Sequence, residues 1–434
     1  MNIPLPNRPS RALLLVLSCA FALLIGFLAV RNALAAHFLG RDTRDGYERA
    51  VSLEPNNPRN WYLLGRSYLY DLEQPDPVKA VSTLRKSVEL DPYSAEAMLD
   101  LALAYDSEGD LAQARAALFS AQRVYPLSAD VSWSFGNFLL RQGEQDAALA
   151  QFYKTLQLDP KRAAEAFSRS MQLQLDAKTV LDRVVPPSPE TYLPILHMLS
   201  DAQQMGEARL VWNKLAGLNG KVPLRNLVIF FDALVRARRS REAVELWPQA
   251  IAMMENPPLP DPPGSLIWDG GFESGFAGGG FSWRFTPVTP NVQISFDRSE
   301  KHGGEQSLRL LFNGRENVNF EDACHPFVAE PGKQYLLSGW IKTESLTSSE
   351  GVRFEVWTSN GKGVATVQSG EIHGTQAWTQ ITLPWTSPDE EVLSKVCLRR
   401  RMSDMPGSDI QGAAWLDDVT LALADNPPAT VGKP

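Results

Sequence analysis

A chain of 434 residues is too long for one ordinary hydrophobic core, so two or three structural regions are expected. With 44% hydrophobic and 21% charged residues it reads as globular and not disordered. A net charge of −8 argues against a general nucleic-acid binder, because phosphate binding needs an excess of Lys and Arg on one surface. Two local basic runs stand against that balance. Arg236-Ala237-Arg238-Arg239-Ser240-Arg241 falls at a predicted turn between paired helices, where a solvated loop is the simpler reading, and Arg399-Arg400-Arg401 falls on a predicted strand.

From the N-terminus, Ala12 to Val30 is an apolar run broken only by Ser18, Cys19 and Gly26. A helix of that length covers about 28 Å at 1.5 Å per residue, close to a bilayer core. Arg8 and Arg11 precede it without acidic neighbours, while Asp42, Asp45 and Glu48 follow among arginines. That asymmetry predicts a cytoplasmic segment over 1–11, a transmembrane anchor over 12–30 and an extracytoplasmic remainder, periplasmic in a Gram-negative cell. A cleaved signal peptide competes, since Ala33-Leu34-Ala35 has the small-x-small form of a cleavage site. The apolar run exceeds the usual 7–15 residues of a signal core, which favours the anchor.

Between Pro55 and Ala250 one helix-turn-helix pattern recurs. Its marks are Pro55, Pro92, Pro126 and Pro160, each closing a helix, at spacings of 37, 34 and 34 residues. The first full unit carries Trp61, Leu64, Gly65, Tyr68, Ala80, Leu84 and Ser87, with extra turn residues around Pro75 and Pro77. The second carries Met98, Leu101, Ala102, Tyr105, Gly109, Ala114, Leu118 and Ala121, and the third Phe135, Gly136, Leu139, Gly143, Ala148, Phe152 and Thr155. The spacing i, i+3, i+4, i+7 gives each helix one apolar stripe. Gly65, Ala102 and Gly136 let the second helix of a pair come close, and Leu84, Leu118 and Phe152 fill the space beside them. After a degenerate stretch from Ala163 to Val185, where Arg169 breaks the stripe, the pattern returns from Tyr192 and again from Leu227. Tyr47 and Ala50 match only the second half of a unit, so a half-repeat is expected next to the membrane segment.

These positions resemble the tetratricopeptide repeat, which implies an α-solenoid over 45–254 with a concave face, lined by first helices, that docks a protein or peptide partner. Asn60, Arg66, Asp100, Trp133 and Asn137 are candidates for that face. Trp61, Tyr68, Tyr105, Trp212 and Trp247 sit at motif positions and read as core.

Residues 255–264 hold five prolines and read as a semi-rigid spacer and domain boundary. Beyond them the period changes to 2, in Val292-Ile294-Phe296, Leu308-Leu310-Phe312, Val352-Phe354-Val356 and Val396-Leu398. Gly303-Gly304, Pro331-Gly332 and Asn360-Gly361 supply turns. Nine or ten strands without helices predict an antiparallel β-sandwich over 265–425, with a disordered tail over 426–434. Alternation puts Arg353, Glu355 and Trp357 on one outer face, and Lys395, Cys397, Arg399 and Arg401 on another; if the two strands share a sheet they form a polar surface with one ring, a candidate ligand-binding face, against which stands the simpler reading of a solvated sheet face pinned by a Cys324–Cys397 bridge. Trp340, Trp378 and Trp415 read as core. Cys324 and Cys397, the two cysteines outside the apolar run, allow a disulfide in an oxidising compartment.

Asp269-Gly270-Gly271-Phe272-Glu273-Ser274-Gly275, His302-Gly303-Gly304-Glu305-Gln306-Ser307-Leu308, Tyr335 to Lys342 and the closing Trp415-Leu416-Asp417-Asp418-Val419 together resemble the galactose-binding-like jelly rolls of carbohydrate-binding modules. The resemblance implies glycan binding and a structural calcium where first and last strands meet. By position its ligands would be Glu273 and Asp418 with a carbonyl near Gly303; hydrogen-bonded strand-end carboxylates are the competing reading.

No His-Glu-x-x-His, Gly-x-x-x-x-Gly-Lys-Ser/Thr, Cys-x-x-Cys or Gly-x-Ser-x-Gly occurs, and the five histidines have no ligand spacing. The expectation is a membrane-anchored, non-enzymatic envelope scaffold, α then all-β, with a protein partner on the solenoid, a glycan or protein on the sandwich, no cofactor beyond calcium and no nucleic acid. A role in surface-polysaccharide assembly or secretion fits both resemblances. The alternative is an accessory carbohydrate-binding subunit, or remnant, of a glycan-processing enzyme.

Overall fold

The computed structural model describes residues 8–258, 260–285, 290–359, 364–405 and 408–424. The Asn360-Gly361 turn, Leu259 of the linker, the tail over 426–434 and, of the segment 1–11, residues 1–7 and the side chains of 8–11 lie outside the described residues.

Helix α1 (Arg8–Leu39) leads into α2 (Arg44–Leu53). Helix pairs follow: α3 (Pro58–Leu69) with α4 (Pro77–Leu90), α5 (Ala95–Glu108) with α6 (Leu111–Val124), α7 (Ala129–Arg141) with α8 (Gln145–Leu158), and α9 (Ala163–Met171) with α10 (Ala177–Val184). Then come α11 (Pro189–Asp201) with α12 (Met205–Ala216), and α13 (Val228–Arg236) with α14 (Ser240–Ala252). The chain divides into two compact units, Met1–Arg162 with Ser168–Leu175 and Asp182–Pro186, and Ala163–Phe167 with Asp176–Leu181 and Pro187–Pro434.

In the first unit the small-against-large rule operates as geometry. A Cβ on Gly65 would lie 2.5 Å from Leu84 Cγ, and one on Gly136 would lie 2.8 Å from the Phe152 ring. Leu84 and Phe152 are fully buried. Side chains of Asn57, Asp76, Ser94, Asp110 and Ser128 accept backbone N–H bonds at the starts of α3 to α7, satisfying donors that a helix leaves free. The half-repeat pairs α2 with the end of α1: Ala35 and Ala50 are both buried, and the Phe38 carbonyl lies where a Gly46 side chain would stand. Ala33-Leu34-Ala35 therefore sits inside a helix that packs on the repeats.

In the second unit α11 to α14 are followed by ten strands: β1 (Arg284–Phe285), β2 (Val292–Asp297), β3 (Ser307–Asn313), β4 (Phe320–Val328), β5 (Gln334–Leu346), β6 (Arg353–Ser359), β7 (Val364–Gln368), β8 (Gly374–Thr386), β9 (Leu393–Arg400) and β10 (Gln411–Leu423). They form two five-stranded antiparallel sheets, β1-β4-β9-β6-β7 and β2-β3-β10-β5-β8. Alternate residues such as Phe354, Val356, Leu398, Leu310 and Leu416 fill the space between them, as the period of 2 requires.

Two expectations gain detail in this unit. The spacer over 255–264 is tied at its end: Asp261 accepts the N–H groups of Asp269 (2.8 Å) and Gly270 (2.9 Å) of the sandwich. Trp247 is not only a repeat-core residue. Its ring meets Trp268 and Phe281 edge to face, and Gly280, at φ 59°, leaves its own side-chain position to that ring. Asp232 on α13 accepts Gly280 N–H at 3.0 Å and pairs with Arg284 at 2.6 Å.

Replacing Gly136 by Leu would force the Phe152 contact apart, an overpacking cost of about 1–3 kcal/mol. The helical transition of the full chain, followed by circular dichroism at 222 nm, is expected to fall by several degrees. Gly206→Ala, where nothing among the described residues lies within 4 Å of the added carbon, should leave it unchanged or raise it.

Candidate functional site

Three places in the molecule gather chemistry. The first is a shallow groove of about 190 Å³ on the first helices of the first unit, lined among others by Tyr70, Asp100, Trp133, Asn137 and Arg141. Tyr70 donates to Asp100 at 2.6 Å, Arg66 pairs with Asp100 at 3.4 Å, and Asn137 donates to the Trp133 carbonyl at 2.9 Å. Burial pushes the Asp100 carboxyl up, against the pull of Tyr70 and Arg66. Four of the five candidate concave-face residues thus belong to one neighbourhood. The fifth, Asn60, is corrected: it is fully buried and donates to the Ala50 carbonyl at 3.2 Å, an internal tie between α2 and α3.

The second place is the outer face of the sheet β1-β4-β9-β6-β7. Register sets Cys324, Cys397, Glu355 and Gln368 in one row, and Pro326, Lys395, Trp357 and Thr366 in the next. Cys324 and Cys397 are joined with S–S 2.05 Å. The predicted strands do share a sheet, but the polar surface expected there is not solvated. Arg353, Glu355 and Arg399 are 7%, 1% and 8% exposed. Glu355 takes Arg401 at 2.8 Å, Trp357 Nε1 at 3.0 Å, Arg399 at 3.5 Å and Arg353 at 3.9 Å. Arg353 also reaches Glu350 at 2.8 Å and Glu371 at 3.1 Å. A buried carboxylate survives only when paired, and this one is paired several times over.

Of the four predicted ligand residues, Trp357 alone lines an open cleft, of about 530 Å³, together with Arg284, Glu321, Asp322, Lys395 and Ser394. Lys395 Nζ lies 4.3 Å from the Trp357 ring centre. Burial, then the neighbouring Glu321, pushes the Asp322 carboxyl up to about 6. Sequence reasoning missed Arg284 and Asp322, because β1 is only two residues long and β4 carries a register shift between Phe320 and Ala323.

The third place is the clasp where the domain's opening and closing segments meet, a pocket of about 370 Å³. Glu273 accepts Glu305 N–H at 2.7 Å, and His302 Nδ1 lies 2.6 Å from Asp418. Asp417, fully buried, accepts the N–H groups of His302 (2.8 Å), Gly303 (3.1 Å) and Asp418 (2.9 Å). Glu273 and Asp418 therefore do face one turn, beside buried Asp269 and Asp417. Burial raises Asp269 and Asp417 each to about 7, aided by Asp261 and Asp418 respectively. Among the described residues no group of three or more His, Cys, Asp or Glu side chains is arranged to hold a metal. A calcium ion would therefore draw its side-chain ligands from Glu273 and Asp418 and the rest from carbonyls. The rings expected in the core are corrected here too: Trp340 and Trp378 are only partly buried, and His302 stacks on Trp340 at 3.9 Å, whereas Trp415 is buried.

Residues 99–163 match the tetratricopeptide repeat family model. No curated protein matches the chain. Among solved structures, MamA protein is similar at 20% identity over 50% of this chain and 94% of its own, with TM-score 0.31. PilF of Pseudomonas aeruginosa is similar at 21% identity over 45% of this chain and 94% of its own, TM-score 0.26. The CBM22-1 xylan-binding domain of Paenibacillus barcinonensis Xyn10C is similar at 18% identity over 37% of this chain and 95% of its own, TM-score 0.27.

The clasp has a pH signature. A carboxyl whose folded pKa is raised stabilises the fold fully below its unfolded value, near 4, and loses that contribution as pH rises through 7. In chelator, the sandwich transition followed by tryptophan fluorescence is expected to fall between pH 5 and pH 8, and Asp417→Asn should flatten that slope. An equal slope in the variant would refute the assignment.

Proposed function

We propose that this chain is a membrane-anchored, non-catalytic scaffold of the cell envelope, docking a protein partner on its repeats and a polysaccharide in the cleft beside Trp357. The cleft carries the second half of the reading. An indole fixed by Glu355, with carboxylate, hydroxyl and ammonium groups around it, suits a sugar ring stacked on its face with hydroxyls bonded at its edge. The similarity to a xylan-binding domain is consistent with this. Catalysis is disfavoured because a glycosidase needs two carboxylates across the scissile bond, whereas Glu321 and Asp322 are neighbours on one strand.

Three features support an anchored, extracytoplasmic protein. Ala12–Leu39 is long and apolar enough to cross a membrane. A cut after Ala35 would remove a packed helix from the half-repeat. The Cys324–Cys397 bond suits an oxidising compartment. The cytoplasmic N-terminus and a place in surface-polysaccharide assembly or secretion belong to the same reading.

Affinity electrophoresis of the full chain through a panel of neutral and acidic polysaccharides should find at least one ligand, and Trp357→Ala should weaken it about tenfold, the worth of one stacked ring. Retardation by none of them would remove the glycan half. Calcium at the clasp is part of the proposal: 1 mM Ca²⁺ should raise the sandwich transition at pH 8, and Asp418→Asn should abolish the increase.

A further inference from the structure

The membrane helix fixes which edge of the first unit faces the bilayer. α1 packs antiparallel on α2: the Phe38 carbonyl stands at Gly46, Ala35 is buried beside Ala50, and Asn32, with its amide turned to donate, reaches Glu54 Oε1 at 2.7 Å. Residues before Asn32 thus project past the end of α2, on the side of the Glu54-Pro55 turn. The apolar run ends at Val30, two residues short of Asn32, or about 3 Å along a helix. A bilayer spanned by Ala12 to Val30 therefore has its surface at the level of that turn.

Within the first unit the turns joining one repeat to the next lie on this edge, because successive helices of the stack alternate in direction. Hydrogen bonds tie the edge together: Ser87 donates to the Pro58 carbonyl at 2.9 Å, and the Tyr125 hydroxyl bonds the Tyr93 carbonyl. The residue after the turn proline is Asn56 in the first turn, but Tyr93 in the second and Leu127 in the third, 72% and 80% exposed. Large apolar side chains held out on rigid turns bury nothing in the fold. A tyrosine and a leucine at headgroup depth are what an interfacial contact uses.

We propose that the turn edge bearing Tyr93 and Leu127 rests in the interfacial layer of the same bilayer that α1 spans. The inference depends on α1 being a membrane anchor. It goes beyond anchoring, because it fixes the first unit to the membrane at points besides the helix and leaves the opposite edge, with Leu72 99% exposed, in water.

The test uses the full chain reconstituted in phosphatidylcholine–phosphatidylglycerol nanodiscs. In a Cys19→Ser background, single cysteines replace Leu23, Leu72, Tyr93 or Leu127 and carry an NBD fluorophore. With shallow doxyl-labelled lipid, NBD at 93 and 127 should be quenched several-fold more than at 72 and emit to the blue of it. Deep doxyl lipid should quench NBD at 23. Quenching at 23 with positions 93 and 127 no different from 72 overturns the inference and leaves the anchor standing. Absence of quenching at 23 removes the anchor and the inference with it. A blue shift at 93 and 127 that doxyl lipid does not quench assigns the patch to a protein contact and likewise overturns it.

Discussion

The second unit depends on one indole. Trp247 closes the core of the last helix pair against Phe231 and presents the rest of its surface to Trp268 and Phe281 of the sandwich. Its Nε1 is buried with no hydrogen-bond partner among the described residues, which costs about 1–3 kcal/mol. The contact is retained because edge-to-face rings and buried area on both sides outweigh that loss. Beside it Asp232 holds Arg284, and Arg284 is also a wall of the Trp357 cleft. The cleft is therefore partly assembled by the repeats, and its position relative to α13 is set by a charged bond over an aromatic contact.

On the sheet face the governing term is desolvation. Glu355 is 1% exposed, and a lone carboxylate there would not remain charged. Three guanidiniums and an indole N–H surround it, so removing any one partner leaves charge buried without compensation. What this arrangement delivers is orientation: the Trp357 ring is held from below, and its outer surface, together with Lys395, is what a ligand would meet. The neighbouring Arg400, on β9, is fully buried; its two terminal nitrogens donate to the carbonyls of Val318 and Ser408 and to Asn317 and Ser348, while its Nε has no hydrogen-bond partner among the described residues. All three members of the run Arg399-Arg400-Arg401 thus have partners within the fold.

The readable parts of the sequence are those where one position answers to one neighbour. Gly65 implies Leu84, and Gly136 implies Phe152, because a helix pair repeats that contact every period. Alternation likewise told Phe354 and Val356 from Glu355 and Trp357. Alternation assigns a side of a sheet, though, and says nothing about what covers it. Arg353, Glu355 and Arg399 look solvated in sequence and are buried by one another. Trp340 and Trp378 look like core and stand at a partly open clasp, because their rings pack on His302, distant in the chain. Trp247 occupies a repeat position in the sequence; its second role depends on Gly280, more than thirty residues later.

Stacked helix pairs leave an apolar face at each end, and each unit closes one with an element that is not a repeat. In the first unit the C-terminal part of α1 lies on α2, burying Ala35 and half-covering Phe38, where Arg41 and Arg49 stand over the ring. In the second unit the sandwich lies on α14. The two covers are also the elements through which the proposed functions act, the membrane span and the glycan-binding domain. Neither could be removed without exposing repeat core. That links the fold of the helices to both ends of the chain, and at the end of the linker Asp261 holds Asp269 and Gly270 of the sandwich in place.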